Sequence, residues 1–191
     1  MEAFLVSTGI VALAEFGDKT QLLSFVLAAR FRKPLPIILG ILVATLANHA
    51  AAGGLGAWVA SLLSPMTLRW VLGLSFLAMA VWVLVPDRLE EDASRLPAFG
   101  VFATTTLAFF MAEMGDKTQI ATVALAGHYP TLAAVVLGTT LGMLVANVPA
   151  VYFGERVVRL LPLRLVRFTT ALIFAGLGVA TLLGAGADIG L

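Results

Sequence analysis

Six apolar stretches, each long enough to cross a bilayer, follow one another along this chain and leave few ways to fold it. They are Phe4–Ala28, Leu35–Leu63, Leu68–Val85, Phe99–Ala126, Leu132–Phe153 and Leu163–Leu183. A helix rises about 1.5 Å per residue, so about 20 residues cross a hydrocarbon core of about 30 Å. Inside hydrocarbon every backbone polar group must pair internally, which only helices and closed barrels achieve. These stretches are too long and too continuous for barrel strands. They predict an all-α integral membrane protein with six transmembrane helices. Composition points the same way: 60% of the 191 residues are hydrophobic, 12% are charged, and the mean hydropathy is +1.01. A soluble domain carries about 25% charged residues, so this chain cannot clothe a water-facing surface.

The same composition excludes several classes. The net charge is +1, and the few basic residues sit at loop positions, so no nucleic-acid partner is expected. No cysteine is present, which removes disulfides, thiolate metal sites and cysteine nucleophiles. The first apolar stretch has a small-residue triplet, Ala12-Leu13-Ala14, of the kind cleaved in signal peptides. Its flank carries Glu2 and no Lys or Arg, against the usual positive start, so it is expected to remain as a helix.

Loop charges set an expected orientation. Arg30, Arg32 and Lys33 follow the first stretch, Arg88 and Arg95 the third, and Arg156, Arg159, Arg164 and Arg167 the fifth; only Arg69 falls on the other side. By the positive-inside rule these three loops are cytoplasmic and both termini face outward. The chain also repeats itself. Glu15-Phe16-Gly17-Asp18-Lys19-Thr20-Gln21 returns 98 positions later as Glu113-Met114-Gly115-Asp116-Lys117-Thr118-Gln119. Gly40 and Gly138 keep that offset, and Asn48 and Asn147 are 99 apart. Gly40-x-x-x-Ala44 and Gly138-x-x-x-Gly142 place small residues one turn apart, as close helix contacts require. The expected organisation is a first three-helix repeat at 1–86, a cytoplasmic linker at 87–97 and a second repeat at 98–191. An odd number of helices per unit inverts the second copy, a common plan of secondary transporters.

Each motif places two acids and a lysine in an apolar stretch. On a continuous helix, residues three apart share a face, so Glu15 and Asp18 are expected to project together, as are Glu113 and Asp116. Both pairs fall near the middle of the membrane. A charged residue there costs about 2.5–3.5 kcal/mol even on the permissive insertion scale. Lys19 and Lys117 can each pair with an acid and tune the charge, which by itself would make a polar clasp between repeats. Two lysines against four acids still leave an excess of two negative charges. One divalent cation offsets that excess, and so do two protons. Burial favours the neutral form of a carboxyl group, so these acids can take protons as a metal leaves. An inventory of carboxylate, amide and hydroxyl oxygens suits Mn²⁺, Ca²⁺ or Mg²⁺. Gln21, Gln119, Asn48, Asn147, Thr20 and Thr118 can complete an ion shell or simply hydrogen-bond between helices. His49 has no counterpart in the second repeat (Val148 stands there) and reads as a packing residue; His128 reads as an inert outer-loop residue. Gly17 and Gly115 permit a kink, a close helix contact or a carbonyl turned toward an ion.

The two E-x-G-D-[KR]-[ST] motifs, on the first and fourth helices of a six-helix inverted repeat, resemble the Ca²⁺:cation antiporter-2 family. That family includes bacterial manganese exporters and relatives in Golgi and in thylakoid or chloroplast-envelope membranes. The resemblance implies Mn²⁺ or Ca²⁺ transport against protons, with Glu15, Asp18, Glu113 and Asp116 as cation ligands. The short form, with no organellar targeting extension, resembles the prokaryotic members of the cytoplasmic membrane. Function is therefore expected to be export of Mn²⁺, or of Ca²⁺, by alternating access, with no enzymatic activity and no cofactor beyond the transported ion. The expected partners are the metal ion, protons and the lipid bilayer, and a homo-oligomer is compatible with the sequence. A divalent-cation channel or a non-transporting membrane assembly protein would use the same acids differently. An intramembrane aspartyl protease is disfavoured, because its two acids need unlike surroundings and the motifs here are matched.

Overall fold

The computed structural model describes residues 1–85, 99–154 and 162–184. Among these residues there are eight helices and no strand. They are α1 (Glu2–Glu15), α2 (Lys19–Phe31), α3 (Pro34–Leu62), α4 (Pro65–Trp82), α5 (Val101–Glu113), α6 (Lys117–His128), α7 (Leu132–Phe153) and α8 (Leu163–Leu183). The expected linker at 87–97, and Arg88, Arg95, Glu155, Arg156 and Arg159, lie outside the described residues. Four helices, α3, α4, α7 and α8, are each long and apolar enough to cross a membrane. Pro149 lies inside α7, which runs on through it.

The first and fourth apolar stretches are not continuous helices as expected. Each breaks at its motif, into α1 and α2 and into α5 and α6. The cause is local. Gly17 has φ +79° and Gly115 φ +73°, a left-handed conformation that residues with a Cβ rarely adopt. Phe16 and Met114 before them are extended, and Asp18 and Asp116 after them take the N-cap position of the next helix. Glycine just past a helix end and aspartate at an N-cap are ordinary stop and start signals. The expected sharing of one helical face by Glu15 and Asp18, and by Glu113 and Asp116, is corrected accordingly: each Glu ends one helix and each Asp opens another.

Side chains are distributed as a lipid solvent demands. Leu5, Trp58, Leu62, Val81, Phe153 and Leu183 are all exposed, while Ser7, Thr45, Asn48, Thr105, Thr139 and Asn147 are buried. One apolar cluster gathers α4, α6 and α8 around Phe76, Leu125 and Phe174. The other gathers α2, α3 and α5 around Leu23, Ile41 and Phe109. Without a hydrophobic drive between helices in lipid, close backbone contact matters more. A Cβ at Gly40 would lie 2.8 Å from Thr105 Cβ and 3.0 Å from the Phe102 carbonyl oxygen. A Cβ at Gly138 would lie 3.0 Å from Ser7 Cβ and 2.5 Å from the Phe4 carbonyl oxygen. Phe102 and Thr105 stand 98 positions after Phe4 and Ser7, so one contact is made twice with the two halves exchanged.

This packing gives a stability prediction. Gly138→Leu drives a side chain into the α1 main chain, which has no flexible neighbour to yield. It is expected to destabilise by about 1–3 kcal/mol or more. Gly54→Leu, where a Cβ has nothing among the described residues within 4 Å, is expected to be close to neutral. Thermal unfolding of the two variants in detergent makes the comparison.

Candidate metal site at two interrupted helices

The breaks leave main-chain groups that no helix satisfies, and the glutamines answer this. Gly17 N–H donates to Gln21 Oε1 at 2.9 Å, and Gly115 N–H donates to Gln119 Oε1 at 2.6 Å. Gln21 also donates through Nε2 to the Ala146 carbonyl at 3.0 Å, tying the first break to α7. The amide oxygens expected to complete an ion shell thus serve first to hold each break in shape.

The two motifs meet, and they meet crosswise. Lys19 Nζ lies 3.1 Å from Asp116 Oδ1, and Lys117 Nζ lies 3.7 Å from Asp18 Oδ1. Each lysine therefore serves the aspartate of the other motif, and neither aspartate side chain caps its own helix. The pairs are unequal. The Lys117 side chain is 4% exposed and also donates to the Val85 carbonyl at 3.1 Å, whereas that of Lys19 is 25% exposed.

The glutamates are fully buried. Glu113 Oε2 accepts from Thr118 Oγ1 at 2.7 Å, and Glu15 Oε1 accepts a longer bond from Asn147 Nδ2 at 3.4 Å. Glu15 Oε2, Glu113 Oε1, Asp116 Oδ2 and Thr20 Oγ1 are buried with no hydrogen-bond partner among the described residues. A buried acceptor without a donor costs free energy, and a hard cation satisfies several such oxygens at once. The donor set fits a cation cargo in its chemistry. Among the described residues, however, no three His, Asp or Glu side chains stand close enough together to hold a metal ion.

The remaining candidates fall around this centre. Asn147 is held by Ser24, whose hydroxyl donates to Oδ1 at 2.8 Å, and its Nδ2 also meets the Met143 carbonyl and sulfur. Asn48, on α3, donates to the Phe110 carbonyl at 3.1 Å rather than to an acid. His49 is buried beside it, with both ring nitrogens lacking partners among the described residues. His128 ends α6 and lies edge-on to Phe76 and Tyr129.

Two contributors were missed in the sequence. Arg167 Nη2 donates to the Gly17 carbonyl at 3.5 Å, and Leu163 covers the same glycine, so the start of α8 closes over the first break. Gly115 has no such cover among the described residues. Ser24 was the other. Both carried a signal that was legible: Arg167 repeats Arg69 at the 98-residue offset, and Ser24 is matched by Thr122.

Four carboxylates are thus buried where the two interrupted stretches meet in an all-helical membrane protein. Comparison with known proteins agrees. The family model described as "Divalent cation/proton antiporter GDT1" matches the chain twice, over residues 3–91 and 101–189. The chain belongs to this family of transporters and is not an enzyme. A protein of Vibrio cholerae serotype O1 described as "Putative manganese exporter" is 53% identical over 182 residues, covering 95% of this chain and 90% of that one. "GDT1-like protein 3" of Oryza sativa subsp. indica is 29% identical over 207 residues, covering 94% of this chain and 73% of the relative. A GDT1-like protein of Synechocystis is 24% identical over 187 residues, covering 82% of this chain and 87% of its own length. No solved structure matches the chain.

Proposed function

We propose that this protein exports Mn²⁺, with Ca²⁺ as a second cargo, in exchange for protons across the bacterial cytoplasmic membrane. Glu15, Asp18, Glu113 and Asp116 take the cation, and Thr20, Thr118, Asn147 and Asn48 lie within or beside the ligand shell. The observation that carries this reading is the crosswise meeting of the two motifs, with acid oxygens buried and unsatisfied around it. The description of the family model and the name of the Vibrio relative favour protons and manganese respectively.

The mechanism follows from the chain's own groups. Each interrupted pair, α1 with α2 and α5 with α6, acts as one span, which gives six spans and two inverted repeats of three. Both termini then face outward, in keeping with the loop charges. In the conformation described, the lysines neutralise the aspartates. A cation arriving from the cytoplasm draws the carboxylates inward. The halves rock about the centre, and protons from outside neutralise the acids as the cation leaves. Interrupted helices suit this work, because their ends carry partial charge and free backbone groups at membrane depth.

The test is uptake of Mn²⁺ and of Ca²⁺ into proteoliposomes with and without an imposed pH gradient. Uptake that rises when the lumen is acidic, faster for Mn²⁺ than for Ca²⁺, is the expected result. Mn²⁺ flux indifferent to the gradient contradicts proton exchange.

A further inference from the structure

Resting on the cation-export reading, we propose that Lys19 is a built-in competitor of the cargo: its ammonium holds Asp116 until the cation displaces it, and drives the cation out when it returns. Lys117, its counterpart, is a fixed clasp and does not take part.

The sequence makes the two lysines equivalent, and the structure makes them different. Lys117 is enclosed and bonded at once to Asp18 and to the Val85 carbonyl just past the end of α4. Moving it would leave the buried Asp18 without this lysine and take a donor from the Val85 carbonyl. Lys19 opens α2, beside the break at Gly17, and a quarter of its side chain reaches the surface. Its ammonium therefore has room to leave Asp116, which the enclosed ammonium of Lys117 lacks beside Asp18. The partner it leaves is suited to a metal. Asp116 is 4% exposed and offers a second oxygen, Oδ2, that nothing else among the described residues engages. Lysine is the fitting residue for this role, being a compact point charge on a flexible stem.

The chemistry is an exchange of counter-ions with no bond made or broken. With Lys19 on Asp116 the cation site is incomplete, so only the fraction of molecules with Lys19 released can bind cargo. A competent state populated in part weakens apparent affinity by that fraction. The same competition hastens release. An exporter gains from this arrangement, since a site of four carboxylates without a competitor would hold a divalent ion too long to turn over.

The chain contains no cysteine, which allows a test on one polypeptide. Lys19→Cys in the full chain is expected to bind Mn²⁺ about tenfold more tightly by titration calorimetry in detergent. Its maximal Mn²⁺ exchange rate in proteoliposomes should fall by a similar factor. Treatment with aminoethyl methanethiosulfonate, which rebuilds a lysine-like ammonium at that sulfur, should return both values toward wild type. A neutral methylating thiosulfonate should return neither. Lys19→Arg gives an independent arm: its planar fork grips a carboxylate more firmly, so Mn²⁺ should bind more weakly than to wild type. Binding by Lys19→Cys that is unchanged or weakened, or a Lys19→Arg protein that binds more tightly, overturns the proposal while wild-type binding leaves the exporter reading standing. Wild-type protein that neither binds nor exchanges Mn²⁺ overturns both.

Discussion

Proteoliposomes carrying Glu15→Gln or Asp116→Asn are expected to exchange Mn²⁺ at background rate. The loss should be about 100-fold or more, because even the supporting partners of metal ligands cost 10–100-fold when removed. The variants should nonetheless insert and fold. Each amide is nearly isosteric with the acid it replaces, and neutralising a charge within the membrane relieves about 2.5–3.5 kcal/mol on the insertion scale. Glu15 makes the sharper case. It is fully buried, its one hydrogen bond is the long contact with Asn147, and its other oxygen has no partner among the described residues. Thermal unfolding beside flux separates the effects: unchanged unfolding with lost exchange is the expected combination. Exchange at wild-type rate in both variants contradicts the assignment of the site.

Lys117→Met is expected to act mainly on stability. It removes the lysine that faces Asp18 inside the protein, and the Val85 carbonyl loses a donor. Breaking a buried ion pair from one side costs about 3–5 kcal/mol. The double variant Asp18→Asn/Lys117→Met removes both charges and should recover most of that loss. Transport should not recover, since Asp18 is a proposed ligand. Unfolding temperatures of the two single variants and the double variant form the cycle that measures the coupling. Equal stability of Lys117→Met and wild type would show that the crosswise pair contributes nothing to holding the motifs together.

Much of the architecture was legible because lipid imposes simple rules. Apolar length located α3, α4, α7 and α8 to within a few residues. The doubled motif pointed to the centre, where Lys19 and Lys117 join the aspartates of opposite copies. What hydropathy hid was the interruption. A run such as Phe4–Ala28 reads as one helix because most residues around the motif are apolar. Yet Gly17 followed by Asp18 is a stop followed by a start, and in a soluble protein that pair would be read as a boundary. The handedness of the break, carried by a positive φ, has no signature in hydropathy. The unequal surroundings of Lys19 and Lys117 were hidden for another reason. They arise from α4 and α8, whose contacts with the two breaks differ although the repeated sequence treats them alike.

The central claim is that one buried carboxylate centre serves cation and proton in turn. The most direct test is a pH-sensitive dye trapped in proteoliposomes at equal internal and external pH, with Mn²⁺ added outside and the membrane potential clamped. Coupled exchange predicts that the lumen turns alkaline as protons leave against entering Mn²⁺, and that Glu15→Gln abolishes the signal. Entry of Mn²⁺ with no change in luminal pH would contradict the account and leave the centre as a conducting pore.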